Sequence, residues 1–174
     1  MKRIAITALK GSGKSVTANY LMSKYGSEIR PLASVLKKML IAMGVPEEYI
    51  YGDKKEEIIP FLGVTGRFLM QSLGTDWGRN IVGRSIWVNM FLFNLKEDDN
   101  VIVDDVRFPN EADALRKAGF TLIRINRPSL EHQDTHESER YVNVLCVDAD
   151  VCNDSSLENL YQEVDLALNK RSAV

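Results

Sequence analysis

One short segment near the start of the chain constrains the fold more than any other. Residues 11–15 read GSGKS and follow residues 3–7, a short apolar run rich in β-branched side chains. Apolar residues at helical spacing follow at 15–24, and Gly26 stands where such a helix would end. A strand, a tight glycine turn and a helix in this order predict the first repeat of an α/β protein.

The turn matches the end of a phosphate-binding loop, G-x-x-x-x-G-K-[ST]. Residues 13–15 supply the final Gly-Lys-Ser, but Ala8 stands where the pattern has its first glycine. That position lies at the end of the strand, so alanine is acceptable there if its φ is negative. We therefore expect the loop to hold a phosphate despite the missing glycine.

Each residue type in the loop has a chemical reason to be there. The backbone amides of Gly11, Ser12 and Gly13 can turn inward, and the helix that follows points its positive end at the same place. Lys14 would reach the β- and γ-phosphates of a nucleotide, and the Ser15 hydroxyl would be a ligand of Mg²⁺. The loop therefore predicts binding of a nucleoside triphosphate with its magnesium ion.

Two adjacent carboxylates, Asp104 and Asp105, end a second apolar run at 101–104. In proteins with this kind of loop, an aspartate at that place completes the Mg²⁺ shell, usually through water. Because consecutive side chains on a strand point to opposite faces, only one of the two can face the metal. The local pattern leaves open which one does.

The alternation of strands and helices predicts one three-layer α/β/α domain over residues 1–174, with a mainly parallel sheet and helices on both faces. The expected strands are 3–7, 28–32, 101–104, 121–126 and a weak one near 146–152, and the expected helices begin near 15, 33, 65, 87, 110 and 157.

Finer expectations concern single residues. Phe68, Leu69 and Leu73 are expected in the core, residues 87–95 as a helix buried nearly all round, and 52–63 as a connecting segment. Asn110 is expected to cap one helix, and the Ser155–Glu158 pattern to cap the last.

A second group of polar residues indicates another anion site. It contains Arg67, Gln71, Thr75, Asp76, Arg79 and, beyond the acidic pair, Arg107. Arg67 and Gln71 are four apart and share a helix face. Arg107 follows the carboxyl end of a strand, where ligands of open α/β sheets bind. A phosphate loop together with a second anion site indicates a kinase whose acceptor is itself phosphorylated.

The polar segment at about 127–142 is expected to be a lid. Arg127, just before a proline, could swing onto the transferring phosphate as the lid closes. His132 and His136 are four apart, which could suggest a metal pair, but the segment lacks helical periodicity and a lid role is favoured.

Composition excludes other classes of partner. The net charge is −2 and offers no basic surplus for nucleic acid, and no stretch is apolar enough to span a membrane. Two cysteines make no disulfide framework. We therefore expect a cytoplasmic protein, in the host cytoplasm if it is phage-encoded, that is a monomer or a homodimer.

Several blocks resemble the bacteriophage-type deoxynucleoside monophosphate kinases. In order these are GSGKS, ASVLK, TGRFLMQSLGTDWGRN, SIWVN, VIVDDVRFPNEADAL and DTHESE, and the likeness spans nearly the whole chain. The resemblance implies a nucleoside-monophosphate-kinase fold with a lid. It also implies transfer of a phosphoryl group from ATP, with Mg²⁺, to a deoxynucleoside monophosphate, which yields the diphosphate.

The resemblance also implies roles for residues. ATP would be bound by Gly11, Ser12, Gly13, Lys14, Ser15, Val16 and Asn153, with the turn at Asn153 near the adenine. The acceptor would be bound by Lys37, Arg67, Gln71, Thr75, Asp76, Arg79 and Arg107, within a helical part at about 34–95. Lys14, Asp105, Arg107 and Arg127 would serve catalysis, Ser15 and Asp104 the metal, and His136, Ser138 and Glu139 the lid.

Rival interpretations remain at this level. One is a kinase of similar shape that acts on another small acceptor, such as dephospho-coenzyme A. Another is an ATP-binding switch that transfers nothing, although a switch has no use for a second phosphate site. A third is nucleic-acid binding through the arginines, against which stand the acidic net charge and the lack of interleaved aromatic residues.

Overall fold

A computed structural model describes residues 2–130 and 140–169. The chain divides into two compact units: unit 1 comprises Met1–Pro31 with Asn94–Val174, and unit 2 is Leu32–Phe93. The helical part expected at about 34–95 falls on nearly the same residues as unit 2. Its role in acceptor binding, and the expectation of one domain over 1–174, stay predictions.

The elements are numbered in chain order. The strands are β1 (Arg3–Ala8), β2 (Glu28–Ile29), β3 (Ile58–Ile59), β4 (Val64–Thr65), β5 (Val101–Val103), β6 (Thr121–Asn126) and β7 (Ala149–Cys152). The helices are α1 (Lys14–Tyr25), α2 (Ser34–Ala42), α3 (Gly66–Gln71), a π-helix (Ser72–Val82), α4 (Ile86–Phe93), α5 (Pro109–Lys117) and α6 (Leu157–Asn169).

Unit 1 is built on a five-stranded sheet in the order β2-β5-β1-β6-β7. All four neighbouring pairs are parallel, and β1 lies at the centre between β5 and β6. The carboxyl ends of these three strands therefore meet at one edge of the sheet, where β1 runs into the glycine loop. The predicted parallel α/β sheet is confirmed.

Helices cover both faces of this sheet. On one face, Ile4 and Ile6 of β1 pack in a buried cluster with Leu21 of α1 and Leu160 of α6. Alternation places Arg3 on the other face, and its guanidinium donates a 3.0 Å hydrogen bond to the backbone carbonyl of Ala118, just after α5. The helix α5 therefore lies on the opposite face from α1 and α6.

Unit 2 has its own small core, formed by Leu40, Val45, Ile50 and Ile59. The segment 52–63 was expected to be a connecting segment, and this expectation missed two short regular elements. It contains a 3₁₀ helix, Asp53–Glu56, and the strand β3, which pairs antiparallel with β4. The strand has only two residues, the exposed Ile58 and the buried Ile59, and is too short to show as periodicity.

Two expectations for buried side chains in unit 2 are also wrong. Phe68 is 54% exposed, whereas Leu69 and Leu73 do pack against the core cluster. The helix α4 buries Trp87, Val88 and Phe91 but leaves Phe93 87% exposed. An apolar helix in a small unit has too little surrounding chain to cover its whole circumference.

Two helix starts differ from the sequence pattern. Asn110 does not cap α5; the cap is Phe108, Pro109 opens the helix, and Glu111 accepts the Phe108 backbone N–H at 3.0 Å. This is the usual place for proline, whose missing N–H costs nothing in the first turn. The cap of α6 is Ser156, whose hydroxyl accepts the Asn159 backbone N–H at 3.2 Å.

Across residues 2–130 and 140–169, no helix has both the length and the apolar character needed to cross a membrane.

Candidate active site

The glycine loop adopts the conformation that a phosphate nest needs. Gly11 and Gly13 have φ values of 84° and 99°, in the left-handed region that side chains rarely adopt. Ala8 is the last residue of β1, and no non-glycine residue in the described part of the chain has a positive φ. Alanine is therefore compatible with the place of the first glycine.

The amino end of α1 is left open. Among the described residues no side chain caps it, and its first turn carries no acidic residue. The first helical hydrogen bond of the loop runs from the Thr17 N–H to the Gly13 carbonyl, at 3.0 Å. The Ser12 N–H already donates to the Leu9 carbonyl at 3.2 Å, so this end of α1 offers an anion the helix dipole and the amides of the first helical turn.

Lys14 and Asp104 meet beside this loop. The Lys14 Nζ lies 3.5 Å from the Asp104 Oδ2, and the two side chains are 22% and 16% exposed. The contact follows from topology, because β1 and β5 are neighbours and both residues follow the carboxyl ends of these strands. Of the two adjacent aspartates, Asp104 is thus the one that contacts the loop lysine. Its role toward a metal stays a prediction, as does the catalytic role of Asp105.

Arg107 lies at a turn that is fixed from within. Its backbone N–H donates to the Glu111 Oε2 at 2.9 Å, and the same oxygen accepts the N–H of Phe108. Glu111 is only 4% exposed. The buried carboxylate therefore holds the backbone of Arg107 at the start of α5, directly after the strand that carries the aspartates.

Two further predicted residues contact the outer side of the loop. The Asn153 amide donates to the Ser12 carbonyl at 2.9 Å, and Arg127 approaches the Gly11 carbonyl at 3.5 Å. Asn153 follows β7 and Arg127 follows β6, so both stand at the same edge of the sheet as the loop.

The predicted acceptor residues of unit 2 lie mostly on one continuous helix. Arg67 and Gln71 belong to α3, and Thr75, Asp76 and Arg79 belong to the π-helix that follows without a break. One turn of an α-helix takes 3.6 residues, so a residue four positions later lies slightly past a full turn. One turn of a π-helix takes more than four residues, so a residue four positions later lies slightly short of a full turn, and the two rotations around the helix axis partly cancel. Arg67, Gln71 and Thr75 consequently stay near one face.

Two of the cations in unit 2 have partners that the sequence did not reveal. The Arg67 guanidinium pairs with the Glu56 carboxylate at 2.9 Å, and the Lys37 Nζ lies 5.0 Å from the centre of the Tyr51 ring. Glu56 lies in the segment 52–63, which the sequence predicts to be a connecting segment, and no sequence pattern identifies Glu56 as a partner of Arg67.

Arg79 and Trp87 define the inner side of the π-helix. Arg79 is 8% exposed and donates to the Arg84 backbone carbonyl at 3.0 Å. The Trp87 indole N–H donates to the Gly74 carbonyl at 2.8 Å, and a Cβ on Gly78 would lie 2.5 Å from the indole ring. The missing side chain of Gly78 thus lets the indole approach the helix backbone.

Within the described ranges, no group of three or more His, Cys, Asp or Glu side chains is placed to hold a metal ion by itself. A magnesium ion shared with nucleotide phosphates needs fewer protein ligands. Ser15 in the first turn of α1 and Asp104 just after β5 carry oxygen atoms of the kind that this ion prefers. His136, Ser138 and Glu139, which are predicted to belong to a lid, lie outside the described residues, as does His132.

Comparison with known proteins shows which family the chain belongs to. The family model "Deoxynucleotide monophosphate kinase" matches residues 62–164. A protein of Acanthamoeba polyphaga mimivirus is 30% identical over 182 residues, which cover 94% of each chain. The chain belongs to the deoxynucleotide monophosphate kinase family. The Deoxynucleotide monophosphate kinase of Enterobacteria phage T4 is 26% identical over 234 residues, covering 94% of this chain and 97% of that one.

The fold of this family member agrees with a solved kinase structure. A gluconokinase from Sinorhizobium meliloti superposes with a TM-score of 0.54 at 13% identity, over 97% of this chain and 92% of that one. The P-loop α/β fold and the resemblance stated from the sequence blocks are both confirmed. The roles of the individual site residues stay predictions.

Proposed function

We propose that this protein transfers the γ-phosphoryl group of ATP to a deoxynucleoside 5′-monophosphate, with Mg²⁺, to give the diphosphate and ADP. The observation that carries the proposal is the meeting of Lys14 and Asp104 at the mouth of a glycine loop, in a chain of the deoxynucleotide monophosphate kinase family. The acceptor class comes from the relatives, which are named deoxynucleotide monophosphate kinases.

The donor nucleotide would lie on the loop of residues 11–16. The inward amides and the amino end of α1 take the phosphate oxygens, and Lys14 balances charge on the β- and γ-phosphates. Ser15 and Asp104 would hold a magnesium ion, which would supply positive charge beside these phosphates. Lys14, released from Asp104 when the phosphates enter, then has an anionic partner of higher charge.

The reaction itself needs little proton transfer. The acceptor oxygen belongs to a phosphate that is already anionic at neutral pH, so a strong general base is unnecessary. The bond between the γ-phosphorus and the β–γ bridging oxygen breaks, a bond to the acceptor oxygen forms, and ADP leaves. Arg107 and Arg127 would stabilise charge on the equatorial oxygens.

Within unit 2, the acceptor would be held mainly by residues of one continuous helix. Arg67, Gln71 and Thr75 share one face of the α3–π-helix, which suits several hydrogen bonds to one ligand. Arg67 is presented as a planar fork that already pairs with a carboxylate, and a phosphate accepts the same geometry. Lys37, Asp76 and Arg79 complete the predicted set.

Membership of this family favours the kinase over the rival interpretations. An ATP-binding switch, a dephospho-coenzyme A kinase and a nucleic-acid binder would each leave the match to the family model without a reason.

The first test compares two lysines on α1. Lys14→Ala should lower the rate of acceptor-dependent ADP release on the order of a hundredfold, because it removes a charge aimed at the transferring phosphoryl group. Lys24→Ala removes an ion pair to Asp165 and contacts with Tyr20 and Tyr25 at the far end of the helix, and should stay near the wild-type rate. Asp104→Asn should raise the Mg²⁺ concentration needed for half-maximal rate.

A coupled assay of ADP release measures all three variants, and thermal melting shows that each is folded. An unchanged rate for Lys14→Ala in a folded protein would remove the loop from the mechanism. An Asp104→Asn protein with the magnesium dependence of the wild type would remove that aspartate from the metal site.

A further inference from the structure

The outward side of the glycine loop has a fixed partner on β7's end. When backbone amides of a loop turn inward to form a nest, the intervening carbonyls turn outward and need donors of their own. Ser12 is 2% exposed, so water has little access to it. Its carbonyl accepts a 2.9 Å hydrogen bond from the Asn153 side-chain amide.

The sheet fixes the position of the Asn153 backbone. Its backbone N–H donates to the Asn126 carbonyl at 2.7 Å, one step beyond the β6–β7 ladder, which ends at the pair Asn126 and Cys152. It also stands two residues after Val151, whose side chain is buried among α1 and α6, so alternation points Asn153 to that same face. Its amide therefore reaches the loop from a rigid strand end.

The fit between Asn153 and the loop leaves no room for a side chain at position 13. A Cβ built on Gly13 would lie 2.5 Å from the Asn153 Nδ2 and 3.7 Å from the Leu160 Cδ2. Gly13 also has a φ of 99°, which disfavours any other residue. The loop backbone is thus clamped between α6 and the end of β7.

We infer that Asn153 is a positioning residue for the phosphate loop, and that it acts through the Ser12 carbonyl rather than through the nucleotide base. This inference rests on the proposed function, and it changes the role that the family resemblance implies for Asn153. The Ser12 carbonyl and the Gly13 N–H belong to one planar peptide group and point in opposite directions. By holding that carbonyl outward, the Asn153 amide keeps the Gly13 N–H directed at the phosphates.

Positioning the loop and contacting the base predict different effects of Asn153 on ligand affinity. A residue that positions the loop affects every ligand bound through its phosphates, whatever base is attached. A residue that contacts adenine affects ATP and leaves a ligand without a base untouched. Inorganic tripolyphosphate, which has the phosphate chain of ATP and no base, separates the two.

The experiment measures dissociation constants of ATP, GTP and inorganic tripolyphosphate by titration calorimetry, with Mg²⁺, for the full chain and for Asn153→Ala. We expect all three affinities to fall by the same factor, about tenfold, because the loss of a partner for a buried carbonyl acts on the loop itself. Asn153→Asp keeps the size but turns a carboxylate oxygen toward the Ser12 carbonyl, and should weaken tripolyphosphate at least as much.

Asn143→Ala is the matched control. Asn143 is exposed, and its backbone carbonyl accepts a hydrogen bond from Arg124, which the substitution leaves in place. It should bind all three ligands as the wild type does. Thermal melting of each variant shows whether the two Asn153 variants are folded before their affinities are compared.

A fall in ATP affinity with unchanged tripolyphosphate affinity would overturn the inference and return Asn153 to the base. Unchanged affinities for all three ligands would overturn it as well. Neither result touches the proposed function, which is measured separately as diphosphate formation by the wild-type protein and needs no variant of Asn153.

Discussion

At the scale of single residues, the ion pair between Arg67 and Glu56 has a functional consequence. Arg67 uses its Nε and one terminal nitrogen on the same carboxylate oxygen, at 3.0 and 2.9 Å. If Arg67 binds the acceptor phosphate, that phosphate competes with Glu56 for the guanidinium. Both side chains are substantially exposed, at 42% and 63%, so the pair is weak and can be exchanged.

Glu56→Gln should therefore lower the KM for the deoxynucleoside monophosphate about two- to fivefold, in line with an exposed pair worth less than about 1 kcal/mol. The KM for ATP should not change. Steady-state kinetics with each substrate varied in turn makes the measurement.

Glu48→Gln is the matched control, since Glu48 is also an exposed carboxylate, paired with Lys54 at 3.0 Å. It should leave both KM values alone. A rise in the acceptor KM for Glu56→Gln would contradict competition and would mean that Glu56 orients Arg67 for its ligand.

The loop residues show what local pattern can predict at this scale. The spacing of Gly13, Lys14 and Ser15 predicted the phosphate nest, because the backbone conformation that a nest requires depends on adjacent residues. The strand pattern did not decide which of Asp104 and Asp105 faces the loop. That depends on the orientation of the chain as it leaves β5, which adjacent residues do not determine. The partnership of Arg67 with Glu56 joins residues eleven apart through a 3₁₀ helix and a hairpin, and no sequence spacing expresses it.

At the scale of elements, the π-helix Ser72–Val82 is the feature of unit 2 with the most to explain. π-Helical turns are rare and need support, because the wider turn packs its own backbone less well. Trp87 provides that support: its indole is buried, donates to the Gly74 carbonyl and lies against Gly78. The helix presents Thr75, which is predicted to bind the acceptor.

Trp87→Phe should lower the free energy of unfolding by about 1–3 kcal/mol, since the buried Gly74 carbonyl loses its indole donor. Urea denaturation measures this. Trp77→Phe is the control: Trp77 is 40% exposed, and its change should stay within about 0.5 kcal/mol. Equal losses for the two variants would mean that the hydrogen bond to Gly74 does not support the π-helix.

The same helix shows where sequence patterns fail. Strands and α-helices can be recognised from apolar residues that recur with periods of 2 and 3.6 residues. Both ends of β6, Thr121–Asn126, were predicted correctly. The π-helical part contacts Trp87, which follows it after a turn, and no local spacing expresses this contact. The helix was predicted to begin at the right place, and its π-helical continuation was not predicted at all.

At the scale of the whole molecule, the order of the central strands explains why the site residues of unit 1 meet. The strand β1 lies between β5 and β6, and all three end at one edge of the sheet. Residues separated by ninety positions or more, such as Lys14 with Asp104 and Ser12 with Asn153, come into contact there. Sequence alternation predicted a parallel sheet, but strand order depends on contacts distant along the chain.

The central claim is that the chain phosphorylates deoxynucleoside monophosphates at the expense of ATP. Its most direct test incubates the wild-type protein with ATP and Mg²⁺ and separates the nucleotides by chromatography, with dAMP, dCMP, dGMP, dTMP and the matching ribonucleotides offered one at a time. The account predicts that at least one deoxynucleotide is converted to its diphosphate, with one ADP formed for each diphosphate. ATP binding without conversion of any deoxynucleotide would contradict it.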